Sequence, residues 1–386
     1  MENLNRRDFL AAAGALGGAV LLGGCGSSDD GSSSSSPTAS SEPHPPIAQE
    51  PGKLSILEWG GYEAGGTKAQ KSGLWAGTPY TKEFGAGGLS YTYIVNDNQS
   101  LQKASTGGPF DVMHPCIQMV PDFVDQGLVQ PWDPKLLKSF DNLDPYLLEK
   151  GKVDGKQYMI PWDWGFASLL YRTDMVDAAD ATSWDLAWNE KYKGKIALWN
   201  GSSSNFELTG LRLGIDKIDD MTPDEINRCK EELIKQKPLN KFLWSSEYGQ
   251  MHPAFKSGDI WITYSWQAAY VIMKEAGLKV DFMDPEEGRL SWACGFMLGA
   301  DTKNYHHAHK YVESFINHKS NVQMVNLFYY GSSDTTIKPS EVKNKELAKE
   351  LKIGQPNALE DPSVHLQQYQ PNRSLYEQAW SEVTAS

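Results

Sequence analysis

Cysteine is scarce in this 386-residue sequence, and the motifs of common catalytic and metal sites are missing. The four cysteines form no Cys-x-x-Cys pair, and there is no His-Glu-x-x-His, no phosphate-binding P-loop and no Gly-x-Ser-x-Gly elbow. A nucleophile built from Cys116 and His114 is disfavoured, because neighbouring side chains of an extended segment diverge. We therefore predict no metal, no cofactor and no catalytic residue.

Positive charge and long hydrophobic runs are also in short supply. Lysine and arginine number 36 against 49 aspartates and glutamates, which gives a formal net charge of −13. An acidic chain binds nucleic acid poorly, so we expect no nucleic-acid partner. The weakly hydrophobic stretch from Ala11 to Leu22 is too short to span a bilayer core, which takes about 20 residues.

Residues 1–24 have the pattern of a cleaved twin-arginine export signal. Arg6 and Arg7 precede the short stretch rich in alanine and glycine. Cys25 follows Leu-Gly-Gly, a sequence that resembles a lipobox, in which the cysteine receives a lipid and becomes the first mature residue. We predict a periplasmic or cell-envelope protein that is anchored to the membrane through Cys25.

Residues 25–52 are predicted to form a tether. The segment from Gly26 to Ser41 is almost entirely small and polar, with five consecutive serines, and lacks the apolar area that a core needs. We expect the folded body to begin near Lys53.

The body alternates strand-like and helix-like patterns and has no internal repeats. Strands are predicted at 53–59, 89–95, 110–113, 195–199 and 258–264, and helices at 119–127, from about 206, at 266–277 and over most of the chain after Tyr305. This order predicts an α/β fold whose parallel strands form a binding crevice at their carboxyl ends. We expect Trp59, Tyr62 and Cys116 to share one crevice, and Trp266 to lie on a similar loop tip.

Two kinds of polar cluster have ordinary explanations. His306, His307 and His309 are expected at a solvated helix start rather than in a metal site. The segments 201–205 and 331–336 are expected to cap helices. The alternative that such helix N-termini hold an anionic solute stays open.

From Lys53 to the C-terminus, landmarks in a fixed order resemble the polyamine-binding proteins of bacterial ABC importers, within the class of extracellular solute-binding proteins. They are Trp59-Gly-Gly-Tyr62, Phe110-Asp-Val, Asn142-Leu-Asp-Pro145, Tyr158-Met-Ile-Pro-Trp-Asp-Trp-Gly165, Thr182-Ser-Trp-Asp185, Tyr192-Lys-Gly-Lys195, Ser265-Trp266, Pro285-Glu-Glu-Gly288 with Trp292, and Ser374-Leu-Tyr376.

The resemblance implies a two-lobe periplasmic-binding-protein fold of type II, with a ligand cleft between the lobes and hinge crossovers near Pro161 and Trp292. Lobe 1 would comprise residues 53–161 and 292–330, and lobe 2 residues 162–291 and 331–386. The implied partners are a small-molecule ligand and the membrane permease of an ABC importer. We expect a monomer that is a binding protein and not an enzyme.

The resemblance also implies a cage of aromatic rings around an amine, formed by Trp59, Tyr62, Trp266 and Trp292. At acidic positions of the family this chain has Gly201, Ser204 and Cys294. Cation–π contacts supply only about 0.5 to 2 kcal/mol per ring, so each ammonium group also needs an acceptor.

Asp163, between Trp162 and Trp164, is the candidate counter-ion, ahead of Glu58 and Glu63. The predicted ligand-binding residues are Trp59, Tyr62, Cys116, Asp163, Trp164, Ser204, Trp266, Trp292 and Cys294. The expected ligand is a polyamine-like, methylated or zwitterionic amine. An anionic solute or, less favoured, an exported enzyme is the alternative.

Three cysteines remain after lipidation, so at least one thiol is free. The resemblance places Cys116 and Cys294 near the cleft in one lobe, while Cys229 lies in a polar helix pattern. Pairing requires Cα atoms about 4.4 to 6.8 Å apart. We treat pairing as possible but do not favour it.

Overall fold

The computed structural model describes residues 44–63, 78–245, 249–355 and 358–386. The predicted export signal, Cys25 and most of the predicted tether lie outside these described residues. No helix within the described ranges has both the length and the apolar character that a membrane span requires.

Strands and helices alternate along most of the described chain. The strands are β1 Leu54–Trp59, β2 Leu89–Ile94, β3 Val112–Met113, β4 Val129–Gln130, β5 Lys152–Val153, β6 Lys156–Gln157, β7 Met159–Arg172, β8 Ile196–Trp199, β9 Asn240–Trp244, β10 Ile262–Trp266, β11 Val280–Phe282, β12 Arg289–Gly299, β13 Gly331–Ser332 and β14 Val364–Leu366. The α-helices are α1 Thr78–Phe84, α2 Asp97–Gly107, α3 Val120–Asp125, α4 Pro145–Lys150, α5 Ser202–Arg212, α6 Pro223–Gln236, α7 Met251–Ser257, α8 Gln267–Glu275, α9 Tyr305–Ile316, α10 His318–Phe328, α11 Lys345–Glu350 and α12 Arg373–Ala385.

One sheet dominates the described structure, with the strand order β2-β1-β3-β12-β7-β10-β8-β9. The strands β2, β1 and β3 form one parallel triplet, and β10, β8 and β9 form a second. Between them runs the antiparallel pair of β12 and β7. The predicted α/β fold with parallel strands is therefore confirmed.

The strands β7 and β12 connect the two triplets because each is long enough to pair on both sides. The start of β7 pairs with the end of β12 next to β3, and the end of β7 pairs with β10. The register shifts at Gly295, opposite Pro161, so the proline falls at an irregularity where a missing N–H group is tolerated. Both predicted crossover positions lie on these strands, while the lobe boundaries remain predictions.

Two hydrophobic clusters stabilise the sheet. One lies beneath α5, α6 and α12 and includes Trp184, Phe206 and Tyr376. The other includes Phe123 and Trp162. Each of these five side chains is fully buried, and burying such a side chain contributes about 1.5 to 3 kcal/mol relative to its exposed state.

The segment just before β1 is part of the fold, although the sequence analysis assigned it to the tether. The buried carboxylate of Glu50 accepts the backbone N–H groups of His306 at 2.7 Å and His307 at 2.9 Å. A carboxylate at a helix N-terminus is favourable, so Glu50 secures this segment to α9.

Three sequence-based boundaries differ from the structure. The strand expected from Gly258 begins at Ile262, because Gly258 adopts a left-handed conformation that ends α7. The helix expected from about Phe206 begins at Ser202, with Gly201 as its N-cap. No helix begins within 331–336, where the chain enters β13 instead.

The prediction of a solvated helix start is wrong for two of the three histidines of α9, His307 and His309, whereas His306 is partly exposed. His307 is buried, with Nδ1 2.8 Å from the Tyr80 hydroxyl. His309 is buried and accepts the N–H of Asp133 at 3.1 Å through Nε2. Burial lowers the pKa of His309 to about 4, so this ring is neutral and serves packing. No group of three or more metal-binding side chains is found in the described part of the chain.

We predict that Gly295→Ala destabilises the fold. A Cβ atom there would lie 2.3 Å from the carbonyl oxygen of Ile160 and 2.7 Å from the Cα of Pro161, and backbone atoms cannot move aside cheaply. The free energy of unfolding, measured by denaturant titration, should fall by about 1 to 3 kcal/mol. The control is Gly87→Ala, where no atom lies within 4 Å of the added carbon. Equal stability of the two variants would contradict the close approach of β7 and β12.

Candidate ligand-binding site

The carboxyl ends of both parallel triplets meet at the middle of β7 and β12. In the first triplet, β3 pairs with Met297 and the chain then advances to Cys116, opposite Cys294. In the second, β10 runs along β7 to Trp266, opposite Ala167. Ligands of α/β sheets bind beyond carboxyl strand ends, so this midline is the candidate site.

Four predicted site residues share one face of the sheet at this midline. Trp266 pairs with Ala167, Trp292 pairs with Gly165, and Cys294 pairs with Asp163. Paired residues of antiparallel strands point to the same face, as do alternate residues of one strand. Trp266, Trp292, Cys294 and Asp163 therefore lie on the same side.

A cluster of three tryptophans occupies the carboxyl edge of the second triplet. Trp199, Trp244 and Trp266 are the last residues of β8, β9 and β10. Their ring centroids lie 4.6, 5.4 and 5.6 Å apart in edge-to-face contacts. Of these three residues, only Trp266 was predicted from the sequence. The signal that could have identified Trp199 and Trp244 is a tryptophan at the end of each strand.

Trp292 is fixed against the sheet by a glycine. A Cβ atom at Gly165 would lie 2.8 Å from the Trp292 ring, so only glycine leaves room for it. The ring also meets Tyr330 edge to face, with centroids 4.8 Å apart. Its buried Nε1 has no hydrogen-bond partner in the described structure, which leaves a donor available to a ligand.

Asp163 belongs to a buried hydrogen-bonded network at the midline. Tyr62 donates its hydroxyl to Oδ2 of Asp163 at 2.9 Å, and Nε2 of His114 lies 3.2 Å from Oδ1. The other ring nitrogen of His114, Nδ1, lies 2.5 Å from Oε1 of Glu58. Asp163 is only 2% exposed, and Glu58 and His114 are fully buried. Both carboxylate oxygens of Asp163, the predicted counter-ion, are already bonded by protein groups, namely Tyr62 and His114.

The network is most stable when His114 is protonated. Each ring nitrogen faces a carboxylate oxygen, and only the imidazolium ion donates from both nitrogens. Burial by itself lowers the pKa of His114, but Glu58 and Asp163 outweigh it and raise that pKa to about 10. Burial raises the pKa of Glu58, whose Oε2 has no hydrogen-bond partner in the described structure. Two acidic side chains therefore share one imidazolium ring, and no second cationic side chain bonds to either of them in the described structure.

The other predicted ligand-binding residues, Trp59, Ser204 and Trp164, have different surroundings. Trp59 ends β1 and its N–H donates to Glu58 at 2.8 Å. Ser204 lies in the first turn of α5. Trp164 alternates with Asp163 along β7 and therefore points to the opposite face, where its Nε1 donates to the Ser332 carbonyl at 2.8 Å. The structure does not bring Trp164 together with the other predicted residues.

Cys116 and Cys294 form a disulfide, a pairing that the sequence allowed but did not favour. They face each other in an antiparallel bridge between the loop after β3 and β12, a contact 178 residues apart in sequence that no local pattern reveals. Cys229 is buried and free. The disulfide gives Cys294 no charge with which to hold an ammonium group.

The start of α5 is engaged by protein groups and does not favour the anionic alternative. Ser202 donates its hydroxyl to Glu377 at 2.6 Å, and Ser203 donates to Gln370 at 2.9 Å. The carboxylate of Glu377 is thus already placed at this helix N-terminus, where it repels a second anion.

A buried acid one turn further along α5 escaped the sequence analysis. Glu207 is 1% exposed and accepts Nε2 of Gln367 at 2.7 Å and of Gln370 at 3.1 Å. Burial raises the pKa of Glu207 well above its usual value, and burial also raises that of neighbouring Asp219 to about 7. A helical pattern alone gave no sign that this carboxyl group points inward.

The fold is the two-lobe fold of periplasmic binding proteins. The structure matches the spermidine/putrescine ABC transporter substrate-binding protein of Streptococcus pneumoniae with a TM-score of 0.64 at 20% identity, covering 86% of this chain and 97% of that one. It matches a periplasmic binding protein of A. tumefaciens, solved in complex with glucopine, with a TM-score of 0.63 at 15% identity, covering 86% and 99%.

Residues 75–350 match the family described as bacterial extracellular solute-binding protein, and the chain belongs to that family. The spermidine/putrescine-binding periplasmic protein of Escherichia coli is 28% identical over 228 residues. That alignment covers 58% of this chain and 64% of the relative, less than two thirds of its length. The family consists of solute-binding proteins, in agreement with the interpretation that this chain is not an enzyme.

We predict that His114→Gln lowers stability in a pH-dependent way. Removing the cation leaves two buried carboxylates facing a neutral amide, so the free energy of unfolding at pH 7 should fall by about 3 to 5 kcal/mol. Because the folded pKa lies above the ordinary value of 6.5, the contribution of His114 is complete below pH 6.5 and is lost as the pH rises to about 10. The difference in free energy of unfolding between the wild type and His114→Gln should therefore become smaller between pH 7 and pH 10 in denaturant titrations.

The matched control is His365→Gln, because His365 is half-buried and bonds a backbone carbonyl. Its cost should be about 1 kcal/mol or less. A difference in free energy of unfolding between the wild type and His114→Gln that stays constant from pH 6 to pH 10 would contradict a network built on protonated His114.

Proposed function

We propose that this chain is the substrate-binding component of an ABC importer and captures a small organic amine in an aromatic-lined cleft. The observation that carries the proposal is the placement of Trp266 and Trp292 on one face of the sheet, opposite Ala167 and Gly165 of β7, with the ring of Trp199 packed against Trp266. Aromatic faces attract ammonium groups through their quadrupole, and alkyl chains pack against the same rings.

The charge of the buried groups near the midline favours a cation. Glu58 and Asp163 surround a single cationic side chain, His114. Glu207 and Asp219 form a second pair of carboxyl groups, held by amide groups rather than by a cation. A positively charged ligand is attracted to the first pair. The second pair carries less than its full charge near pH 7, because burial raises the pKa of Glu207 well above its usual value and that of Asp219 to about 7.

The number of acceptors favours a ligand with one cationic head over a long polyamine. Cys294 is tied into the disulfide, and Ser204 offers a neutral hydroxyl group rather than a carboxylate. Each ammonium group that leaves water needs a strong acceptor. A methylated or zwitterionic amine satisfies this site with fewer carboxylates. The same fold holds glucopine in the A. tumefaciens protein, so it accommodates ligands other than polyamines.

The proposed partners follow from this role. The chain would be exported by the twin-arginine route, be anchored to the membrane through lipid on Cys25, and deliver its ligand as a monomer to the importer permease. The name of the Escherichia coli relative, a spermidine/putrescine-binding periplasmic protein, supports amine transport at the level of the class.

A thermal-shift screen over diamines, polyamines, methylated amines and amino acids should reveal the ligand. We predict that Trp266→Ala and Trp292→Ala then each weaken its affinity at least about tenfold in calorimetric titrations. Loss of one ring removes both apolar contact and a cation–π contribution of about 0.5 to 2 kcal/mol. Asp163→Asn should also weaken binding, because it removes charge from the network that holds Tyr62.

Trp188→Ala is the matched control, because Trp188 is a half-buried tryptophan that stacks on Arg212 and bonds Glu232 away from the strand ends. It should lower the melting temperature without changing the affinity. The proposal fails if the Trp266, Trp292 and Asp163 variants all bind the ligand as tightly as the wild type.

A further inference from the structure

Arg373 carries a buried donor that no protein group uses. It is the first residue of α12, its side chain is 17% exposed, and its Nη1 donates to Asp122 of α3 at 2.6 Å. Its other terminal nitrogen, Nη2, is buried and has no hydrogen-bond partner in the described structure. An unsatisfied arm of a charged group is costly, so it indicates an acceptor that the chain itself does not supply.

Asp97 is near Arg373. Burial raises the pKa of the Asp97 carboxyl group, while the backbone N–H of Cys116 and the positive charge of Arg373 act to lower it. The first turn of α12 packs near the first turn of α2, since Glu377, one turn after Arg373, accepts Nδ2 of Asn98 at 2.7 Å. Gln118, shortly before α3, donates to Oδ2 of Asp97 at 3.0 Å. The carboxylate of Asp97 thus sits between the two elements that Arg373 bridges.

Asp97 also touches the candidate site. Its Oδ1 accepts the backbone N–H of Cys116 at 3.0 Å, and the disulfide of Cys116 reaches Cys294, two residues beyond Trp292. A carboxylate has about four acceptor positions and two of these are filled here. The side-chain oxygen of Gln118 is a further buried acceptor without a partner in the described part of the chain.

A donor with positive charge and acceptors with negative charge therefore stand together at one end of the site. A plain amine satisfies only the acceptors, and a plain anion satisfies only the arginine. A molecule with an ammonium group and a carboxylate satisfies both.

We propose that the captured amine is a zwitterion whose carboxylate binds Nη2 of Arg373 and whose ammonium group lies between Asp97 and Gln118 on one side and the midline tryptophans on the other. This inference rests on the proposed amine-binding function and narrows its ligand class. It assigns to Arg373 the tighter binding of amino acids and betaines compared with the corresponding amines.

Pairs of compounds that differ by one carboxylate test the inference. The pairs are putrescine and ornithine, cadaverine and lysine, and tetramethylammonium and glycine betaine, each titrated calorimetrically into the full chain. In the pair that binds, the carboxylate-bearing member should bind at least about tenfold more tightly. Arg373→Gln should abolish that preference, so that the carboxylate-bearing member binds no more tightly than the amine member of the same pair.

Asp122→Asn is the matched control, because it breaks the same ion pair and keeps the guanidinium group. It should retain the preference for the carboxylate-bearing member. The inference is overturned if the amine member binds as tightly as its partner, or if Arg373→Gln keeps the preference. Binding of amine members alone leaves the proposed function intact, whereas no binding by any of the six compounds counts against amine capture itself.

Discussion

The antiparallel pairing of β7 with β12 is the constraint on which the rest of the structure depends. Both parallel triplets bond to this pair, and both point their carboxyl ends at its middle. Gly295 and Gly165 allow the close approach that the pair requires, the first to a neighbouring backbone and the second to the Trp292 ring. The candidate ligand site follows from this arrangement, because the strand ends of both triplets reach the middle of the pair.

Charge is arranged around this midline in a way that neutral packing cannot replace. His114 is held between two carboxylates and in turn fixes Asp163, which orients Tyr62. Removing one partner of a buried ion pair leaves an uncompensated charge. That loss costs far more free energy of unfolding than the intact pair contributes. The same acids that hold a protonated histidine also favour a cationic ligand in the proposed function, so that proposal gives stability and ligand charge one origin.

The sequence predicted what is local and missed what depends on distant contacts. Strand ends at Trp59 and Trp199 and the α/β order follow from short hydrophobic patterns that the structure confirms. The pairing of Cys116 with Cys294, the inward direction of Glu207 and the network around His114 join residues far apart in the chain. No periodicity encodes such contacts. The family resemblance pointed to the midline, but the partners of each side chain required the assembled sheet.

The central claim is that an amine is held against the tryptophans at the middle of β7 and β12. A crystal structure of the chain with the amine found by screening tests it most directly. The account predicts a ligand nitrogen within about 6 Å of the ring centroid of Trp266 or Trp292, between the two triplets. A ligand bound outside this midline, or one whose nitrogen faces away from both rings, would contradict it.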